Sequence, residues 1–191
     1  MIENDFTADV EQCLQVLQQG GIIVYPTDTV WGLGCDATNS EAVEKIIALK
    51  KRPAEKSFVV LVSSEREVLQ YVAAPDLAVF SYLEQAPKPT TVIYENAIGL
   101  ADNVLATNGS VAMRICSDAF CKYLIKRFRK PIVSTSANTS GIPAPAFFKD
   151  IEPVIVDGVD YAVRYRRSDT TPTEPSAIIT WQNGMIHFIR K

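Results

Sequence analysis

The chain has 191 residues, 47% of them apolar and 21% charged, with a formal net charge of −3. That balance fits one folded domain with its own core and argues against disorder, while the negative total gives no overall attraction to nucleic acid. No apolar run reaches the roughly 18 residues of a membrane helix, and the start Met-Ile-Glu-Asn-Asp lacks the basic and apolar regions of a secretion signal.

In chain order, residues 8–19 read as a helix, with Val10, Cys13, Leu14 and Leu17 on one face and Gly20-Gly21 as its stop. Residues 22–25 form a buried strand that ends at Pro26. Thr27-Asp28-Thr29 follow, and Gly32-Leu33-Gly34 reads as a glycine turn. Ser40 is the expected N-cap of a second helix, which Pro53 cannot continue. Residues 58–62 are a continuous apolar run, the pattern of a strand covered on both faces. Residues 75–85 suggest a helix, residues 91–94 a strand and residues 111–116 another. Asp118 caps a helix running to about Arg129, and residues 132–134 form a short strand opening into Thr135-Ser136-Ala137-Asn138-Thr139-Ser140-Gly141. Residues 154–156, 162–165, 177–181 and 185–189 complete the strands, the last two joined through Asn183-Gly184, a strong hairpin signal. Helices and strands alternate early and strands dominate late. This order predicts one α/β domain over residues 1–191, built on a twisted, mixed parallel and antiparallel sheet.

Several chemistries are excluded or weakened. There is no G-x-x-x-x-G-K-[ST] phosphate loop. Gly32-Leu33-Gly34-Cys35-Asp36-Ala37 matches the dinucleotide fingerprint only loosely, because Thr27-Asp28-Thr29 separate the strand from the glycines. The single histidine, His187, lies in an alternating strand, so neither a Ser-His-Asp arrangement nor an ordinary zinc site is credible, and no metal ligands are assigned. Cys13, Cys35, Cys116 and Cys121 form no C-x-x-C pair and sit in or beside apolar segments. They read as reduced, buried thiols of a cytoplasmic protein. Cys116 and Cys121 could bridge only if a loop folded them together.

Three cations follow the second helix. Lys50 and Arg52 could simply complement a helix dipole. Arg52-Pro53 is rigid, however, and Lys56 precedes the buried strand, so the three can also converge as a triphosphate clamp. The hydroxyls and amide of 134–141 offer donors and acceptors for phosphate or ribose, or else form an ordinary polar turn. Arg114 ends an apolar strand, where a buried cation needs a carboxylate from the protein or from a ligand. Arg190, near the end of the chain, reads by itself as an exposed tail residue. Lys122, Lys126, Arg127, Arg129 and Lys130, with Arg164, Arg166 and Arg167, form either solvated surface or a local basic face.

In series, these pieces resemble one family, the YrdC-type threonylcarbamoyl-adenylate synthases (TsaC and relatives). The matching stretches are Pro26-Thr27-Asp28-Thr29-Val30-Trp31-Gly32-Leu33-Gly34, the K-x-R of Lys50-Lys51-Arg52, Val111-Ala112-Met113-Arg114, Ser136-Ala137-Asn138 with Ser140-Gly141, and Pro175-Ser176. Pro87-Lys88-Pro89-Thr90-Thr91 is similar to the family's P-G-P-x-T, with lysine in place of glycine. Ser57 and Leu61 also depart from common family residues.

The resemblance implies a YrdC-like fold, a twisted mixed sheet around a large basic cavity. It also implies a reaction, in which L-threonine, bicarbonate or CO2 and ATP give threonylcarbamoyl-AMP and pyrophosphate. The product serves N6-threonylcarbamoyladenosine formation at tRNA position 37 by a separate transferase. Magnesium would arrive with ATP, and Asp28 is one possible ligand for it. By the same resemblance Thr29, Arg114 and Ser176 hold threonine. Arg52, Lys56, Ser110, Ser134, Ser136, Asn138 and Arg190 bind ATP, and Lys50 and Arg52 are the catalytic cations. The alternative is a non-catalytic YciO-type relative that binds double-stranded RNA or tRNA through the basic face.

Overall fold

The computed structural model describes residues 5–53 and 58–191. Its helices are α1 (Thr7–Gln18), α2 (Ser40–Lys50), α3 (Glu65–Tyr71), α4 (Ala78–Gln85), α5 (Ala119–Phe128) and α6 (Pro153–Asp157). Its strands are β1 (Ile23–Tyr25), β2 (Gly32–Gly34), β3 (Val59–Val62), β4 (Thr90–Tyr94), β5 (Val111–Ile115), β6 (Ile132–Ser136), β7 (Tyr161–Ala162), β8 (Ala177–Gln182) and β9 (Met185–Arg190). They form one mixed sheet in the order β7-β1-β2-β6-β3-β5-β4-β8-β9. The β1–β7, β3–β5 and β4–β8 pairs are parallel and the others antiparallel. The mixed α/β sheet expected from the sequence is therefore present.

Register brings distant sequence together. Leu61 of β3 faces Arg114 of β5, and Val59 faces both Ala112 of β5 and Ser134 of β6. Gly32 of β2 faces Ser136 of β6. The ends that carry hydroxyls and cations thus lie on four adjoining strands. The apolar continuity of β3 follows from its place between β5 and β6, where Val60, Leu61 and Val62 are all buried. On one flank α1 and α5 pack together, and the Phe6 and Phe120 rings meet edge-on at 5.6 Å.

Four expectations are corrected. Gly32-Leu33-Gly34 is a strand, not a turn. Its glycines serve close packing, since a Cβ on Gly34 would lie 2.5 Å from Tyr25 Cε1 and 2.8 Å from the Val133 carbonyl. This also removes the dinucleotide reading of that stretch. Residues 154–156 belong to the helix α6. Pro153 presets its first turn, which outweighs the β-branched run, and only Ile155 is buried. The cap of α2 is Asn39, whose Oδ1 accepts from the Glu41 and Ala42 amides. Finally, β7 stops at Ala162 because the carboxylate of Asp9 captures the Arg164 and Tyr165 amides. The helix α3, with only Val68 buried, carries little apolar periodicity in its sequence. The β8–β9 hairpin is as expected, with Asn183 at φ 51° and Gly184 at φ 74°.

The close approach at Gly34 makes a prediction. Gly34→Ala forces Tyr25 or β6 to move and should destabilise the protein by about 1–3 kcal/mol. Urea unfolding measures it, and a wild-type midpoint would contradict the packing argument.

Candidate active site

A short polar turn opens the site. Thr27 Oγ1 donates to the Val30 carbonyl at 2.8 Å and accepts from the Thr29 amide at 3.0 Å, and its oxygen lies 3.1 Å from Thr29 Oγ1. This fixes the Thr29 hydroxyl against the end of β5. There Arg114 Nη2 donates to Thr29 Oγ1 at 3.1 Å and lies 3.0 Å from Asp28 Oδ1. The ion pair is deeply buried, with side chains 4% and 6% exposed. The partner that the sequence left open is thus supplied by the protein. The Nε of Arg114 is buried with no hydrogen-bond partner among the described residues.

Arg52 is not aimed at bulk water. Its guanidinium lies 4.4 Å over the Phe58 ring, and Nη1 donates to Thr135 Oγ1 at 3.5 Å. Arg190 is no loose tail residue either. Its Nε donates to the Ser176 carbonyl at 2.9 Å and Nη2 to the Ser176 hydroxyl at 3.4 Å, while Ser176 Oγ lies 2.8 Å from Thr91 Oγ1.

These groups border one cavity of about 310 Å³, lined by Thr29, Arg52, Arg114, Ser134, Ser136, Ser176 and Arg190 together with Val30, Thr135 and Pro175. Burial holds the Arg52 guanidinium below its ordinary pKa. Burial and, second, the charge of Arg114 do the same to Arg190. An anion entering the cavity would offset both effects. At this volume the cavity sits at the low end for small-molecule sites. The expectation of a large cavity is revised to a compact one with three guanidinium groups in its wall.

Three predicted residues are not brought to that wall. Lys50 points inward, and its ammonium donates to the carbonyls of Ser136 and Asn138 at 2.5 Å each. With only 1% of the residue exposed, it ties the end of α2 to the loop after β6. Asn138 is turned away as well, its Nδ2 donating to the Thr139 and Ile142 carbonyls. Ser110 donates to Asn108 Oδ1 and borders a separate depression with Trp181 and Asp76. Lys56 lies outside the described residues. In the other direction, the sequence reading gave Asp28 no place beside Arg114, Phe58 none beneath Arg52, and Thr135 no contact of its own. Thr135 carried a signal as part of the hydroxyl run and Asp28 as a polar residue at a strand end, whereas Phe58 carried none.

A larger cavity, about 740 Å³, is bordered by Asp28, Ser117, Glu65, Arg66, Glu84, Lys88 and Lys122. It mixes both signs of charge and contains none of the predicted site residues, so the site is assigned to the smaller, arginine-lined one. Asp28 is engaged by Arg114 and Ser117, a poor arrangement for a magnesium ligand. Among the described residues no three His, Cys, Asp or Glu side chains group as a metal site.

Of the eight cations in the basic runs, four have protein partners. Arg127 pairs with Glu11, Lys130 with Asp36, and Arg166 with Asp118 and Asp169. Arg167 donates to the Val163 and Ala162 carbonyls. That reduces the footprint available to a duplex. All four cysteines are buried and free, so Cys116 and Cys121 are not bridged. No described helix is long and apolar enough to cross a membrane.

The Sua5/YciO/YrdC family model, described as "Telomere recombination", matches residues 15–191. This chain belongs to the Sua5/YciO/YrdC family. Among curated relatives within that family, the threonylcarbamoyl-AMP synthase of Saccharophagus degradans is 39% identical over 136 residues, covering 70% of each chain. That of Idiomarina loihiensis is 30% identical over 182 residues, covering 94% of this chain and 97% of the relative. The fold of Sua5/YciO/YrdC proteins is shared closely. Pyrococcus abyssi Sua5 complexed with L-threonine superposes with a TM-score of 0.82 at 20% identity, covering 96% of this chain and 54% of that one. Escherichia coli YciO gives a TM-score of 0.83 at 21% identity, covering 98% and 91%. At that identity the structural likeness concerns the fold alone.

The buried ammonium yields a prediction. Burial first and then Arg52 push Lys50 down to about 8 from 10.5, with Glu152 opposing. The unfolded chain therefore binds the extra proton between these values, and the contribution of Lys50 to stability grows with pH across that window. Lys50→Met leaves the buried Asn138 carbonyl without its donor and the Ser136 carbonyl with only the Asn138 amide, and should cost about 1–3 kcal/mol. The wild-type advantage over this variant should widen from pH 8 towards 10.5 in chemical denaturation. A gap that narrows would reverse the sign.

Proposed function

We propose that this protein is an L-threonylcarbamoyladenylate synthase, a nucleotidyltransferase. It would convert L-threonine, bicarbonate or CO2 and ATP into threonylcarbamoyl-AMP and pyrophosphate. One observation carries the reading: Arg52, Arg114 and Arg190 border a single compact cavity with the hydroxyls of Thr29, Ser134, Ser136 and Ser176. The names of the curated relatives support it.

The chemistry asks for little beyond placement and charge. The threonine amine becomes a carbamate, a weak anionic nucleophile, which must meet an anionic α-phosphate in line as pyrophosphate leaves. Cations that neutralise both partners, and walls that hold them in contact, are what such a step needs. In our reading Arg114 takes the threonine carboxylate, with Thr29 and Ser176 beside it. Arg52 and Arg190 take phosphate oxygens, and Lys56 is assigned to the same tail from the sequence alone. Ser134 and Ser136 offer hydroxyls without adding charge. Lys50 acts by holding the loop after β6, and Asn138 by shaping it. The compact volume suits an amino acid and a phosphate tail, so most of the nucleoside would lie at the mouth. Magnesium would come as part of the ATP substrate, held by phosphate oxygens.

No histidine base and no covalent enzyme intermediate are called for. The product would pass to a separate transferase that modifies position 37 of tRNA, in the cytoplasm, where reduced thiols such as these four persist. The RNA-binding YciO-type alternative is disfavoured by the protein partners that half of its basic side chains already have.

Pyrophosphate release tests the reading. With ATP and bicarbonate present, release should depend on threonine, and release that ignores threonine would sink the substrate assignment. Arg52→Ala should cut turnover by about 100-fold or more while circular dichroism stays native. An active variant would remove Arg52 from the machinery.

A further inference from the structure

Among the described residues, Asp28 is the carboxylate paired with Arg114 of the cavity, yet it does not border that cavity. It borders the larger one behind it. Its two oxygens are divided. Oδ1 lies 3.0 Å from Arg114 Nη2, whereas Oδ2 accepts from the Ser117 amide at 3.1 Å and the Ser117 hydroxyl at 3.3 Å. Ser117 lies three residues beyond Arg114 on the same stretch of chain. The segment that carries the guanidinium therefore also grips its counter-ion. This closes a small ring of contacts, Arg114 to Asp28 by charge and Asp28 to Ser117 by hydrogen bonds, behind the guanidinium. Thr29 steadies it from the other side at 3.1 Å. Among the described residues neither Asp28 Oδ1 nor Arg114 Nε, both buried, has a hydrogen-bond partner, so Asp28 holds the guanidinium by charge contact and Nε is left as an unused donor.

We propose that Asp28 is a positioning residue for substrate recognition: locked by Ser117 behind Arg114, it orients that guanidinium for the carboxylate of the amino-acid substrate without touching the substrate. This rests on the function proposed above. A buried pair could exist only to neutralise charge, in which case affinity for the amino acid would not track it. A positioning role predicts that Asp28 acts through Arg114 alone, which a double-mutant cycle detects.

The experiment is steady-state pyrophosphate release by the purified full chain, with threonine varied at saturating ATP and bicarbonate, then ATP varied. Asp28→Asn should raise the threonine KM by about tenfold or more and leave the ATP KM within about twofold. Arg114→Gln should also raise the threonine KM, and Asp28→Asn combined with Arg114→Gln should match Arg114→Gln alone within about twofold. Multiplying effects in the double variant, or a folded Asp28→Asn with wild-type threonine KM, would overturn the proposal. Should Asp28→Asn fail to fold, Ser117→Ala decides, because it loosens Asp28 without changing charge. A threonine KM raised about threefold supports the proposal, and an unchanged one refutes it. A wild-type chain whose pyrophosphate release ignores threonine would overturn the proposed function, and this proposal with it. Threonine-dependent release with an indifferent Asp28 would overturn only this one.

Discussion

The buried ammonium of Lys50 is the contact on which the arrangement of the site depends. It bridges the carbonyls of Ser136 and Asn138, and the Lys50 carbonyl in turn accepts from the Ser140 amide at 2.8 Å. The end of α2 and the loop after β6 therefore move as one piece. Two residues further on, Arg52 leaves the helix at a fixed place, over Phe58 and beside Thr135. A lysine carries enough hydrogen-bond donors for two carbonyls at once, and burial makes any loss of either bond expensive. The cation nearest the helix end thus contributes structure, and the one after it contributes charge to the cavity.

Charge in the cavity is organised by what stands behind each guanidinium. Arg114 has Asp28 as a buried counter-ion, so its positive field is largely spent inside the protein. Arg190 is held by a neutral carbonyl and hydroxyl of Ser176. The first arrangement gives an oriented donor set suited to a singly charged carboxylate. The second leaves more net positive potential for a multiply charged phosphate tail. A protein with a net charge of −3 can concentrate cations in this way because the cavity draws them from separate places in the chain, Arg52 after α2, Arg114 on β5 and Arg190 on β9.

Much of this was legible in the residues. Pro26-Thr27-Asp28-Thr29, Arg52-Pro53, Arg114 at a strand end and the hydroxyl run at 134–136 all signal a polar, cationic site, because an apolar strand that ends in such groups needs a reason for them. The elements were legible where one pattern was unopposed, as in α1, α5, β3 and the hairpin at Asn183-Gly184. Local signals competed in two places. Gly32-Leu33-Gly34 carried turn residues, yet the ring of Tyr25 demanded glycine in a strand. The β-branched run at 154–156 looked extended, yet a proline at the first helical position set the opposite course.

The sequence by itself determined which side chains were available, namely three arginines and a set of hydroxyls placed at the ends of apolar segments. It determined the class of the fold too, since hydrophobic periodicity and turn chemistry act over short distances along the chain. Direction was decided only by tertiary structure. Lys50 turned inward, Ser110 faced another depression, and Asp28 paired with Arg114. The first and last of those outcomes depend on strand register and on partners far along the chain, 86 residues for Lys50 and Ser136 and 89 for Asp28 and Ser117. A buried charge orients towards whatever group the fold brings within reach, and no local pattern encodes which group that will be.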